Sequence, residues 1–103
     1  MKTPALTPNE LGMMRRVFCR HPEIKTVKLF GSRAKGTNAV NSDIDLALWG
    51  DMDAVRAESI AAELDELPLP YRYDVKPFHL IKFIPLREHI ERVGITVYPE
   101  EGQ

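Results

Sequence analysis

Two short apolar runs, Val27 to Phe30 and Leu46 to Trp49, frame a polar stretch that opens Gly31-Ser32 and closes Asp43-Ile44-Asp45. Apolar runs of this length suit strands better than helices. Gly31 ends the first run and Gly50 ends the second, as glycines commonly do at strand exits. The pattern constrains the chain to set two strand ends close together. One carries a glycine turn, and the other starts on a pair of carboxylates.

Local signals supply the remaining elements. Thr7-Pro8-Asn9-Glu10 opens a helix: Thr7 caps it, Pro8 suits its first position and Glu10 completes a capping box. Leu11, Met14 and Phe18 share one face of it, and it should stop near His21-Pro22, because a residue before proline avoids the helical region. Ile24 to Phe30 reads as the first strand, Arg33 to Gly36 as a short helical turn, Thr37 to Asn41 as loop, and Ser42 to Trp49 as the second strand. Asp51 or Asp53 caps a second helix whose stripe is Ala57, Ile60, Ala61 and Leu64, with Pro68 and Pro70 at its exit. Tyr71 to Lys76 reads as the third strand, being rich in aromatic and β-branched residues. Pro77 to Ile84 is an apolar connector whose type the pattern leaves open. Pro85 opens a last helix with Leu86, Ile90 and Val93 inward, Gly94 stops it, and Ile95 to Tyr98 forms a short terminal strand. The order implies an α+β fold, a small mixed sheet covered by helices.

A chain of 103 residues supports one domain with a modest core. Its formal net charge is −1. Surfaces that dock on long nucleic acid usually carry a basic excess, so no stable binding of that kind is expected. Cys19 is the single cysteine, which excludes an intrachain disulfide; it reads as a partly buried small hydrophobe. Met1-Lys2-Thr3-Pro4 lacks the apolar core of a signal peptide, and no run approaches the roughly 18 apolar residues of a membrane span. The expected location is the cytoplasm, with no membrane partner.

The chemistry concentrates in the acids. Side chains alternate across a strand, so Ile44, Leu46 and Leu48 share one face while Asp43 and Asp45 share the other with Ala47 beyond them. Two residues along a strand stand roughly 6–7 Å apart. Like charges at that range repel by roughly 3 kcal/mol at an effective dielectric of about 20. A divalent cation removes that repulsion, and oxygen ligands so spaced can share Mg²⁺ with substrate phosphates. Asp74 lies on the polar face of the third strand, between Arg72 and Lys76. It can supply a third carboxylate to a second metal ion, accept the proton of an attacking hydroxyl, or simply pair with either neighbouring cation. A calcium loop of the EF-hand type is excluded, since Ala47, Leu48 and Ala54 stand where it needs a ligand, a glycine and a glutamate.

Gly31-Ser32-Arg33-Ala34-Lys35-Gly36-Thr37 is not a Walker loop, because Thr37 stands where lysine is required. What remains is a strand that turns through Gly-Ser into a short helix. Free backbone N–H groups at such a turn bind anions, and Gly31 lets a phosphate approach closely. Ser32 can donate its hydroxyl, and Arg33 and Lys35 add positive charge. The other reading of the turn has Ser32 as a plain helix cap. Turn and acid pair together put phosphate beside Mg²⁺.

With these residues in place, the chain resembles the nucleotidyltransferase superfamily of DNA polymerase β, most closely its minimal single-domain members. Gly31-Ser32, the following ten residues, Asp43-Ile44-Asp45 and a later acid, Asp74, carry the resemblance, together with the local text Leu29 to Gly36 and Asn41 to Leu46. It implies a polymerase-β-like fold, with residues 1–103 as one minimal nucleotidyltransferase domain. It also implies that Asp43, Asp45 and Asp74 are catalytic and hold Mg²⁺, two ions in all, and that Gly31 and Ser32 hold the β- and γ-phosphates of ATP. Minimal members are commonly encoded with a helical HEPN-type toxin, which they bind and can adenylylate on tyrosine. The resemblance therefore implies an antitoxin that moves AMP from ATP to a hydroxyl of that partner, the acceptor being delivered by another protein. A non-catalytic antitoxin acting by occlusion is the alternative.

The remaining singular residues read more plainly. His21, His79 and His89 lack metal-ligand spacing. Trp49 points to the acid side of its strand and is expected in packing rather than in a base pocket. The connector residues Phe78, Leu80, Ile81, Phe83 and Ile84 are more apolar than an exposed loop, and divide between core and partner interface.

Overall fold

Thr7 starts the first helix by the reciprocal capping anticipated from its sequence. The Glu10 N–H donates to Thr7 Oγ1 at 3.1 Å, and the Thr7 N–H donates to Glu10 Oε1 at 2.9 Å. The computed structural model describes residues 6–31 and 43–99. In order these form α1 (Pro8–Cys19), β1 (Ile24–Phe30), β2 (Ile44–Gly50), α2 (Ala54–Asp65), β3 (Tyr73–Pro77), a 3₁₀ turn (Phe78–Leu80), α3 (Ile84–Val93) and β4 (Ile95–Tyr98). The proposed helical turn at Arg33–Gly36 and the loop Thr37–Asn41 lie outside the described residues. No helix among the described residues is long and apolar enough to cross a membrane.

The four strands make one mixed sheet in the order β3-β2-β1-β4. β1 runs antiparallel to β2 and β4, and β2 runs parallel to β3. A parallel pair needs a crossover, and α2 supplies it. Asp53 is the cap of α2, its Oδ1 accepting the Arg56 N–H at 2.8 Å. The expected α+β fold is therefore present.

Most of the core lies between one sheet face and helices α1 and α2. Ile44, Leu46 and Leu48 are fully buried there with Val27, Leu29, Met14, Phe18, Ile60 and Leu64. Arg15 ties α1 to the sheet edge, its Nε donating to the Val97 carbonyl at 2.8 Å. The other face is covered only in part. Phe30, Ala47, Phe78, Ile81 and Ile90 form a second, smaller cluster, flanked by Trp49 and Leu86. The acid-bearing face thus becomes apolar beyond Asp45.

Several boundaries differ from expectation. β3 begins at Tyr73, not Tyr71; the Tyr71 hydroxyl donates to Glu10 Oε2 at 2.8 Å. β3 ends on Pro77, which an edge strand tolerates because its outward side needs no donor. Asp43 lies just ahead of β2 rather than within it. Gly94 ends α3 at φ −63°, so it is no left-handed cap. A side chain there would instead meet the Ile90 carbonyl and the Lys28 side chain. Cys19, at the last turn of α1, is exposed rather than partly buried.

Leu46→Ala should destabilise the fold by about 2–5 kcal/mol, since Leu46 is completely enclosed. Val55→Ala, at a position 71% exposed, should change stability by less than about 0.5 kcal/mol. Urea unfolding of the two variants checks both values.

Candidate active site

Strand register brings the site together. The parallel pairing sets Asp45 directly beside Asp74, and the antiparallel pairing sets Phe30 beside Asp45. Gly31, one residue past Phe30, therefore arrives against the same carboxylate. Its φ is +82°, a left-handed conformation that favours glycine. A Cβ on Gly31 would also run into the Asp45 carboxylate. Backbone geometry and space both call for glycine at this point.

The charges press on one another. Burial raises the Asp45 carboxyl above its ordinary range, the Asp74 charge raises it further, Lys76 pulls it part of the way back, and Asp43 adds a smaller push upward. Asp43 itself is exposed. Asp74 is engaged by the Lys76 ammonium, its Oδ2 accepting from Nζ at 2.5 Å. Sequence reasoning offered Arg72 or Lys76 as partner to Asp74, and the structure selects Lys76. Among the described residues no three His, Cys, Asp or Glu side chains converge closely enough to hold one ion in this conformation.

The donor set nonetheless suits a hard dication. It consists of carboxylate oxygens only, the Gly31 backbone leaves the Asp45 carboxylate uncrowded, and the repulsion around Asp45 is of the kind a bound dication relieves. Asp45 and Asp74 are brought together, Asp43 precedes Asp45 by two residues in the chain, and Gly31 lies against Asp45. Ser32, Arg33 and Lys35 lie outside the described residues.

The rest of this face is filled. Trp49 stacks on Phe78 with ring centroids 4.4 Å apart and an 18° interplanar angle. Lys28 Nζ lies 5.4 Å from the Trp49 ring, and the Arg87 guanidinium 4.3 Å from the Phe78 ring. Arg87 also donates to the carbonyls of Phe78 and Ile81 at 3.1 and 2.9 Å. Trp49 thus packs, as expected. His21 is buried and bonded to Glu63 at 2.8 Å, a structural role, and His79 is exposed. The connector divides: Phe78 and Ile81 are buried, whereas Leu80, Phe83 and Ile84 are 43%, 69% and 59% exposed. Beside them an apolar groove of about 350 Å³ runs between α2 and the edge strand, lined in part by Ala57, Val75, Lys76, Pro77, Leu80 and Phe83.

Residues 14–103 match the family described as polymerase beta, nucleotidyltransferase. No curated protein matches the chain. Among solved structures, a toxin–antitoxin crystallised with AMP-PNP superposes with a TM-score of 0.73 at 23% identity, over 93% of this chain and 76% of that one. The MntA–HepT toxin–antitoxin gives 0.69 at 18% identity, over 89% and 72%. A tri-AMPylated Shewanella oneidensis HEPN toxin in complex with MNT antitoxin gives 0.67 at 17% identity, over 87% and 70%. At these identities the likeness is one of fold.

Asp45→Asn should stabilise the ligand-free protein at pH 7. The folded-state carboxyl titrates above the ordinary carboxylate range, so its ionisation weakens folding. That penalty is complete above the raised value and disappears as the pH falls below the ordinary carboxylate range. Thermal melts should therefore show a gain of a few degrees at pH 7 that shrinks at pH 4.

Proposed function

The chain belongs to the polymerase beta nucleotidyltransferase family, and from that membership and the acid geometry we propose that it transfers AMP from ATP to a hydroxyl of a partner protein, a HEPN-type toxin that the modification silences. The observation that carries this reading is the register that sets Asp45 beside Asp74 with Gly31 against them. The toxin–antitoxin complexes of similar fold, one crystallised with AMP-PNP and one holding an AMPylated HEPN toxin, support the choice of donor and partner. On this reading the expected site of action is the cytoplasm.

In this proposal Asp43, Asp45 and Asp74 hold two Mg²⁺ ions, which when bound neutralise charge on the transferring phosphoryl group. Gly31 admits the triphosphate to the backbone, and Ser32 donates its hydroxyl to one oxygen of the β- or γ-phosphate. Arg33 and Lys35 add positive charge beside them. The acceptor oxygen forms its bond to the α-phosphorus, and Asp74 takes the hydroxyl proton. The bond from the α-phosphorus to the bridging oxygen of the β-phosphate breaks, and pyrophosphate leaves.

A second reading is favoured by one feature. Leu80, Phe83 and Ile84 are exposed together beside the apolar groove, which suits a protein that neutralises its partner by covering it. The two readings separate in the double variant Asp43→Asn, Asp45→Asn. With α-labelled ATP and the toxin, the wild type should label the toxin and the double variant should lose at least about 100-fold in rate. Equal labelling by both proteins contradicts catalysis by these acids. Full protection of toxin-expressing cells by the double variant favours occlusion.

A further inference from the structure

Lys76 carries a charge in the acid neighbourhood, and the proposed chemistry has no use for it. Along β3 it follows Asp74 by two positions, so both side chains leave the same face of the strand. Across the parallel ladder Asp74 lies beside Asp45, and Lys76 lies beside Ala47. Ala47 carries no polar group, so the ammonium finds its counter-charge by turning back along the strand to Asp74, where the two atoms meet at 2.5 Å. The side chains are 41% and 47% exposed, so neither is locked in place by packing. Among the described residues no three acids converge on a common point.

We propose that Lys76 is a built-in counter-ion of the acid set, one that a divalent cation must displace from Asp74 in order to be held by that carboxylate. This rests on the reading of the acids as a cation site. The physical argument is competition for one pair of oxygens. An ammonium at hydrogen-bond distance from Asp74 Oδ2 repels a dication shared by Asp74 and Asp45, so the two cations compete for the carboxylate. Displacement is cheap, because an ion pair this exposed contributes about 0.2–1 kcal/mol. The ammonium therefore screens the acids while the site is empty and yields when a dication arrives. Once released, it remains next to the metal-bound acids, within the reach of a lysine side chain of a polyanionic ligand held there.

The test is Mn²⁺ binding without nucleotide, followed by the electron paramagnetic resonance signal of the free ion. Wild type is compared with Lys76→Met, Lys76→Arg and Lys82→Met. Lys82 is an exposed lysine that lines the same groove, so its loss removes one equal charge without freeing Asp74. Lys76→Met should bind Mn²⁺ about 1.4- to fivefold more tightly than wild type, the range set by the strength of an exposed pair. Lys82→Met should bind as wild type does, and Lys76→Arg, which keeps a cation on Asp74, should not bind more tightly. Equal affinity of wild type and Lys76→Met, or an equal gain in Lys82→Met, overturns the inference and leaves the cation site standing. Absence of Mn²⁺ binding in all four proteins overturns both.

Discussion

The parallel pairing of β2 with β3 is the constraint on which the site depends. It alone sets Asp74 beside Asp45, two carboxylates that would otherwise keep apart. The pairing holds because the opposite face of the same strands is deeply apolar. Ile44, Leu46 and Leu48 are enclosed by α1 and α2, and Tyr73 joins them from β3. A slip of one residue would turn that apolar set to the acid side, so the core itself enforces the register. Burial on one face thus sustains charge crowding on the other. The raised Asp45 carboxyl is the local trace of that crowding.

The second, smaller cluster has a different role. Phe78, Ile81 and Ile90 cover Ala47 and pack against Trp49, which closes the lower part of the acid face. Among the described residues, Asp43, Asp45, Asp74 and Gly31 sit at the strand ends beyond this cluster. Arg87 fixes the connector by binding two of its carbonyls and lying over the Phe78 ring. The same connector leaves Leu80, Phe83 and Ile84 outside. One short segment therefore both shuts the floor of the site and presents an apolar rim beside it.

Much of this arrangement was legible in the residues, and the physical reasons are specific. β1 was readable to its ends because a buried run stops at a glycine with positive φ. α1 was readable from Thr7 because capping is local chemistry. The side of β2 that carries Asp45 was readable because alternation along a strand determines which side chains share a face. The start of β3 was not: Tyr71 lies ahead of the strand, and its hydroxyl bonds to Glu10, a partner 61 residues away in the chain. Nor was the burial of Ala47, which depends on the connector folding back over the acid side. Cys19 was misread because Met14, Val17 and Phe18 already fill the inner face of α1. Lys76 was visible as one possible partner of Asp74, but its standing beside the acid pair required the parallel register.

The central claim is that these carboxylates and the Gly31 turn form a shared seat for a metal ion and a nucleoside triphosphate. Isothermal titration of the protein with a non-hydrolysable ATP analogue, with and without Mg²⁺, tests it most directly. Binding that requires Mg²⁺ is the result the account predicts. No binding of any ribonucleotide, or binding unaffected by removal of the metal, would contradict it.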